Sequence, residues 1–171
     1  TYGFSPYGDN YLVNTFLTSQ GYIILDVDFR GSLGYGREFR NKTYHNLGQW
    51  EISDYISGIN YLNSLGIIDR EKVGIYGGSY GGFITFMSMF RRGDIFKCGA
   101  ALRAVSDWGN YFYANRWYTL ARFGDYSIEE NNEYYRISSP ITYAEGLHGP
   151  LLLLHGMLDD NVYFQQSVQL T

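Results

Sequence analysis

The sequence predicts one α/β domain organised around a mainly parallel sheet, and three observations carry that expectation. Short β-branched or leucine-rich runs alternate with helix-length segments along the chain. Glycines punctuate the ends of these segments, while no internal repeat and no linker-like proline or serine run divides them. The 171 residues are 45% apolar and 19% aromatic, which is ample for a buried core in one unit.

The elements follow in order. Across residues 9–19, Tyr11, Leu12, Phe16 and Leu17 recur at helical spacing, and Gly21 stands where a C-cap glycine would end the helix. Residues 22–28 are β-branched and apolar enough for a buried parallel strand, with Gly31, Gly34 and Gly36 marking the loop after it. A second helix is expected over residues 48–65, turning Trp50, Tyr55, Ile59 and Leu62 toward one face and stopping at Gly66. Residues 72–76 read as a strand, residues 81–90 as a helix apolar nearly all round, and residues 99–102 as a further strand. An aromatic stretch (108–123) and a polar stretch reaching Arg136 precede the strand 150–154, and residues 163–170 begin a helix.

Composition removes several classes of function. The formal net charge is −4, and basic residues are scattered singly apart from Arg91-Arg92, so the basic stripe that a nucleic-acid backbone requires is missing. The apolar runs 22–27 and 150–154 are far too short to cross a bilayer, and no basic-then-apolar leader opens the sequence, so no membrane segment is expected in this stretch. The single cysteine, Cys98, excludes an intrachain disulfide within these residues and is expected to pack as a small apolar side chain.

The sharpest local signal is Gly77-Gly78-Ser79-Tyr80-Gly81-Gly82, between the strand ending at Tyr76 and the helix from Gly82. In a G-x-S-x-G elbow the serine occupies a strained strand-to-helix turn, and flanking glycines remove Cβ atoms that would clash there. Ser79 would then be a nucleophile, and the N–H of Tyr80 would face the oxyanion of a tetrahedral intermediate, aided by the positive helix end. A glycine-rich structural turn is the bland alternative, but the strand–turn–helix context favours the elbow. Phosphate binding fits less well: no Lys-Ser or Lys-Thr closes the loop, and no acidic residue stands where a dinucleotide fold needs one.

With a serine nucleophile on this architecture, the acid should follow a later strand. His155-Gly156-Met157-Leu158-Asp159-Asp160-Asn161-Val162 stands there, after the strand 150–154. By chemistry alone Asp159 and Asp160 both qualify, and either could instead cap the following helix. The histidines are His45, His148 and His155, and none follows the acid; His155, beside Gly156 at a strand end, is expected to be a structural hydrogen-bonding residue.

These blocks resemble the prolyl oligopeptidase family of serine peptidases, in particular its dipeptidyl peptidase and acylaminoacyl peptidase branches. The likeness covers Asp28-Phe29-Arg30-Gly31-Ser32-Leu33-Gly34-Tyr35-Gly36, the nucleophile turn, Val105-Ser106-Asp107-Trp108, and His155-Gly156 through Phe164-Gln165, in the family's order. The resemblance implies a three-layer α/β-hydrolase fold, peptide substrates, and no metal or organic cofactor. It assigns the triad acid to Asp159. It also implies that Tyr80, Val105, Trp108, Tyr111 and Val162 line the pocket for the residue before the scissile bond, and that Asn161 holds a substrate carbonyl. Residues 109–123 follow the dipeptidyl peptidase pattern poorly, and core packing is the alternative for Tyr111 and the later aromatics.

On the same resemblance, residues 1–171 are expected to be a partial catalytic domain, truncated at both ends. The glycine-rich oxyanion segment would precede Thr1, the triad histidine would lie beyond Thr171, and the family's β-propeller would lie outside the chain. Made alone, such a chain is expected to aggregate or fold poorly, because missing strands would expose a sheet edge. A carboxylesterase of the same fold and a non-catalytic binding homologue are the rival readings, and a homo-oligomer of the complete protein is left open.

Overall fold

The computed structural model describes residues 9–171. Its helices and strands are α1 (Asp9–Ser19), α2 (Gly36–Arg40), α3 (Trp50–Ser64), β1 (Gly74–Gly78), α4 (Tyr80–Arg91), β2 (Cys98–Leu102), α5 (Trp108–Ala114), α6 (Arg116–Phe123), α7 (Glu129–Ser138), β3 (Leu151–Leu154) and α8 (Gln165–Val168). Short 3-10 turns cover Asn41–Thr43, Arg70–Lys72 and Pro140–Gly146. The final helix is shorter than the sequence suggests. No helix among the described residues is long and apolar enough to cross a membrane.

The three strands lie side by side in the order β1-β2-β3, all parallel. Gly78 pairs in register with Leu102, and Leu102 with Leu154, so the carboxyl ends of the strands finish level. Whatever follows each strand is thereby delivered to one edge of the sheet, where open parallel sheets hold their sites.

Helix α4 covers one face of the sheet. Residues Gly82 through Phe90 are all buried, as their nearly all-round apolar sequence requires. Two glycines allow the contact: a Cβ on Gly77 would lie 2.6 Å from the carbonyl carbon of Gly81, and one on Gly82 would lie 2.6 Å from Ala104 Cβ. Gly81, the outer glycine of the motif, faces open space instead. The steric requirement therefore falls on Gly77 and Gly82 rather than on both outer glycines of the motif.

Tyr76 points to the opposite face and donates its hydroxyl to Asn14 Oδ1 on α1, which brings a helix to that side as well. This face is otherwise open among the described residues. Leu152 and Leu154 are about half exposed there, at 55% and 48%.

Two expectations fail. Residues 22–28 are assigned to no strand and pair with none of β1, β2 and β3. Their apolar side chains are used differently: Leu25 and Val27 pack against Gly58 of α3, while Tyr22 and Ile23 stay exposed. A strand-like sequence becomes a strand only when it is hydrogen-bonded to a neighbour, and none of the described strands pairs with these residues. Cys98 is exposed rather than buried. It opens β2 on the face away from α4, over Gly74, whose absent Cβ would come 2.9 Å from its Sγ. Gly99, one residue on, carries the alternation to the α4 face, against Met89 and Thr85.

Gly77→Ala is expected to destabilise the fold by about 1–3 kcal/mol through overpacking, read as a lower denaturation midpoint. Gly81→Ala, with no atom in its way, should leave the midpoint close to that of the parent.

Candidate active site

Ser79 connects β1 to α4 with φ 54° and ψ −115°. A positive φ is rare for a residue with a Cβ and marks a conformation held by its surroundings. Here the Ser79 N–H donates to Leu102 O at 2.8 Å, and the Ser79 carbonyl accepts from Phe83 N at 2.9 Å, closing the first turn of α4. Tyr80 is the first residue of that helix, so its main-chain N–H belongs to the unpaired, electropositive end.

Across the sheet, the segment after β3 carries Asp159. Its Oδ1 accepts from Val162 N at 2.9 Å and Asn161 N at 3.0 Å. The Val162 bond is the larger cause holding the Asp159 carboxyl below the usual aspartate range, helped by the Asn161 bond and by nearby His155 and Arg103. Asp160 is exposed. His155 is committed elsewhere: Nε2 lies 2.7 Å from Val162 O and Nδ1 lies 2.6 Å from Ser167 Oγ. One tautomer satisfies both bonds, with Nε2–H donating to the carbonyl and Nδ1 accepting the hydroxyl proton. Its 3.7 Å approach to Asp159 Oδ2 is therefore secondary.

The segment after β2 supplies the wall between these two loops. Ring centroids run in sequence from Tyr80 to Trp108 at 6.2 Å and from Trp108 to Tyr111 at 5.6 Å. The Tyr111 hydroxyl then donates to Asn161 Oδ1 at 3.0 Å. Val105, Trp108 and Val162 are almost completely buried, at 2%, 1% and 1% exposure. Tyr80, Trp108, Tyr111 and Asn161 thus form one chain of contacts that joins the serine turn to the loop carrying Asp159, and its aromatic members belong to the core. Tyr118 stacks on Trp108 at 5.9 Å, and Asn115 Nδ2 donates to the Tyr111 hydroxyl at 3.3 Å.

Several residues that fix this arrangement escape sequence reasoning. Gln166 Oε1 accepts from the N–H groups of Ser106 and Asp107, each at 2.8 Å, while Gln166 Nε2 donates to Asp107 O at 3.0 Å. Ser106 Oγ in turn donates to Gln166 O at 2.6 Å. This clasp binds the β2 loop to the chain after the acid. Arg103 follows β2 with φ 40° and donates its N–H to Leu154 O at 2.7 Å. Glu51 is fully buried in the first turn of α3; Oε1 accepts the Tyr80 hydroxyl proton and Oε2 accepts from Gly48 N at 3.0 Å. Burial pushes its carboxyl up to about 7, outweighing those two hydrogen bonds. An acidic residue between Trp50 and Ile52 on an otherwise apolar stripe was the only signal available for it.

Gln166→Ala would leave two main-chain N–H groups without their acceptor and should cost about 2–6 kcal/mol at about 1–3 kcal/mol per orphaned donor, measured by chemical denaturation. Glu51 makes a pH prediction. Its carboxyl titrates near 7 when folded against an ordinary 4.5, so the folded state binds the proton more tightly. Stability from this group is fully present below about pH 4.5 and falls as pH rises to about 7. Glu51→Gln should flatten that slope in a pH series of denaturation curves.

The prolyl oligopeptidase family matches residues 10–171. Among curated proteins, the chain is 36% identical to dipeptidyl peptidase 4 of Sus scrofa, over 92% of this chain and 20% of that protein. It is 35% identical to prolyl endopeptidase FAP of Mus musculus, over 91% of this chain and 20% of that protein. Among solved structures, a dipeptidyl aminopeptidase IV homologue from Bacteroides ovatus superposes with TM-score 0.85 at 35% identity, covering 92% of this chain and 22% of the other. The acylaminoacyl peptidase of Pyrococcus horikoshii gives 0.83 at 33% identity, covering 90% and 26%. The chain therefore spans about a fifth of the length of the curated relatives it matches. The layered parallel sheet is that of the α/β-hydrolase fold, and the chain belongs to the prolyl oligopeptidase family of serine peptidases.

Proposed function

We propose that residues 1–171 form part of the catalytic domain of an enzyme that hydrolyses peptide bonds of short peptides through an acyl-serine intermediate. The observation that carries this reading is Ser79 at φ 54° on the strand-to-helix turn, level with the acid loop two strands away. Strain of that kind is retained where the chemistry needs the hydroxyl lifted clear of the sheet.

In the proposed reaction Ser79 Oγ attacks the scissile carbonyl carbon and gives its proton to an imidazole. The carbonyl oxygen becomes the oxyanion and receives the Tyr80 N–H, while the imidazole passes the proton to the leaving amine as the C–N bond breaks. Water then reverses the sequence and frees the acid product. Asp159 is the orienting carboxylate. Its Oδ1 is already fixed by two main-chain N–H groups, which leaves Oδ2 to receive the imidazole N–H and keeps the carboxyl ionised.

The imidazole is assigned to a histidine of the same polypeptide outside residues 1–171. His155 has both ring nitrogens engaged. His45 is sandwiched between Tyr44 and Tyr134 at 3.8 and 3.9 Å, and His148 precedes β3 at the far ends of the strands. On this reading Tyr80, Val105, Trp108, Tyr111 and Val162 contact the residue before the cut. Asn161, whose Oδ1 accepts from Tyr111 and Asn115, keeps its amide N–H for a substrate carbonyl.

The test uses the complete polypeptide on a panel of peptide anilides, including Xaa-Pro and acyl-amino-acid substrates, beside a simple aryl ester. Anilide hydrolysis is expected, Ser79→Ala should abolish it, and Asp159→Asn should lower kcat by roughly a thousandfold or more. Ester hydrolysis alone would replace the reading with a carboxylesterase. Turnover of neither substrate would leave a binding homologue.

A further inference from the structure

Glu51 is an expensive residue to keep where it stands. A carboxyl with no exposed surface loses its hydration, and a leucine or methionine of similar volume would fill the space without that penalty. Helix α3 does not need it as a solvated cap, because the side chain points inward. Its partners are the Gly48 N–H, three residues back, and the hydroxyl of Tyr80, the residue directly after Ser79.

The rest of the Tyr80 side chain is held by rings. Phe29 stacks on it at 6.4 Å, Phe83 lies at 5.1 Å and Trp108 at 6.2 Å. Those contacts fix where the ring lies but leave it free to slide and tilt, since apolar packing is weakly directional. A hydrogen bond from the hydroxyl to a buried carboxyl oxygen is directional, and it pins the far end of the side chain. With both ends of Tyr80 pinned, the peptide joining Ser79 to Tyr80 has little freedom.

We infer that Glu51 is a positioning residue for catalysis: by holding the Tyr80 hydroxyl it sets the aim of the Tyr80 main-chain N–H at the oxyanion. The inference rests on Ser79 as nucleophile and Tyr80 N–H as oxyanion donor. A donor of this type contributes only when it is aimed at the place where charge develops, so a tilt of a few tenths of an ångström lowers the rate more than it weakens substrate binding. Other charged or titratable groups facing Glu51 are Arg30, from the loop after α1, and Asp54 and Tyr55 on its own helix. Arg30 is paired with Asp54 through Nε at 2.9 Å and its main-chain N–H at 2.7 Å, so neither replaces the Tyr80 contact.

The experiment compares Glu51→Leu, Glu51→Gln and Tyr80→Phe in the complete polypeptide, with kcat expressed per Ser79 titrated by an irreversible fluorophosphonate. Glu51→Leu and Tyr80→Phe should each lower kcat per site by roughly ten- to a hundredfold, the scale of a misplaced catalytic group, with KM changed less than about threefold. Their double variant should be no worse than either alone, and Glu51→Gln, which keeps an acceptor, should recover part of the loss. Tyr80→Phe removes a single oxygen, so it decides the matter even if Glu51→Leu fails to fold. Unchanged kcat per site in Tyr80→Phe, or losses that multiply in the double variant, would overturn the inference while leaving Ser79 as nucleophile. Absence of any Ser79-dependent turnover in the parent would remove the reading beneath it, and the inference with it.

Discussion

The main chains of β1 and α4 meet with no side chain between them, and the arrangement at the site descends from that contact. At Gly77 a single methyl group would come within 2.6 Å of the Gly81 carbonyl carbon on α4, and at Gly82 one would come within 2.6 Å of Ala104 Cβ in the segment after β2, far inside van der Waals contact. With strand and helix pressed this close, the chain has one residue in which to turn, and Ser79 takes the left-handed φ that the turn demands. Its N–H is held by β2 and its carbonyl by α4, so the strain is distributed into the two elements that the core fixes best. The same contact starts α4 at Tyr80 and sets the positive end of the helix directly after the serine. The conformation of Ser79 and its electrostatic environment are thus consequences of one steric fact.

A parallel sheet delivers three loops to one edge but does not join them. Serine turn, β2 loop and acid loop come from strands whose ends are level, yet each could move independently without cross-links. The links are polar and long-range: Gln166 clasps the β2 loop, His155 ties the end of β3 to α8 through Ser167, and Tyr111 reaches Asn161. Buried hydrogen bonds add little net stability when satisfied and cost much when half-broken. Their effect is to specify one arrangement of loops, which a site spread over three strands requires.

Local features were legible in the sequence and relational ones were not. The helices α1, α3 and α4 and the strands β1, β2 and β3 lie within two or three residues of their expected places, because periodicity and glycine stops are written in consecutive residues. The elbow was legible for the same reason. Residues 22–28 and Cys98 were misjudged from their own chemistry. Burial and pairing depend on what lies alongside: no described strand pairs with residues 22–28, and Cys98 stays exposed. Glu51 and Gln166 were invisible because their partners lie 29 and 60 residues away. A charged residue on an apolar stripe is a faint sign of such a partner; it does not name it.

The aromatic segment is core, and through its polar tips it also reaches the loop that carries Asp159. Trp108 is 1% exposed and packs against Phe83, Tyr118 and Phe123, so it is core by any measure. Its ring also stands edge-on to Tyr111, whose hydroxyl reaches the acid loop. Aromatic side chains have few rotatable bonds and large contact areas, so a core built from them transmits position with little loss. Tyr80 shows the principle in its strictest form, with a ring in the core, a hydroxyl on Glu51 and a main chain on the serine turn. A wall made this way can be rigid only because it is core, and it can set the serine turn only because its polar tips are tied to fixed partners.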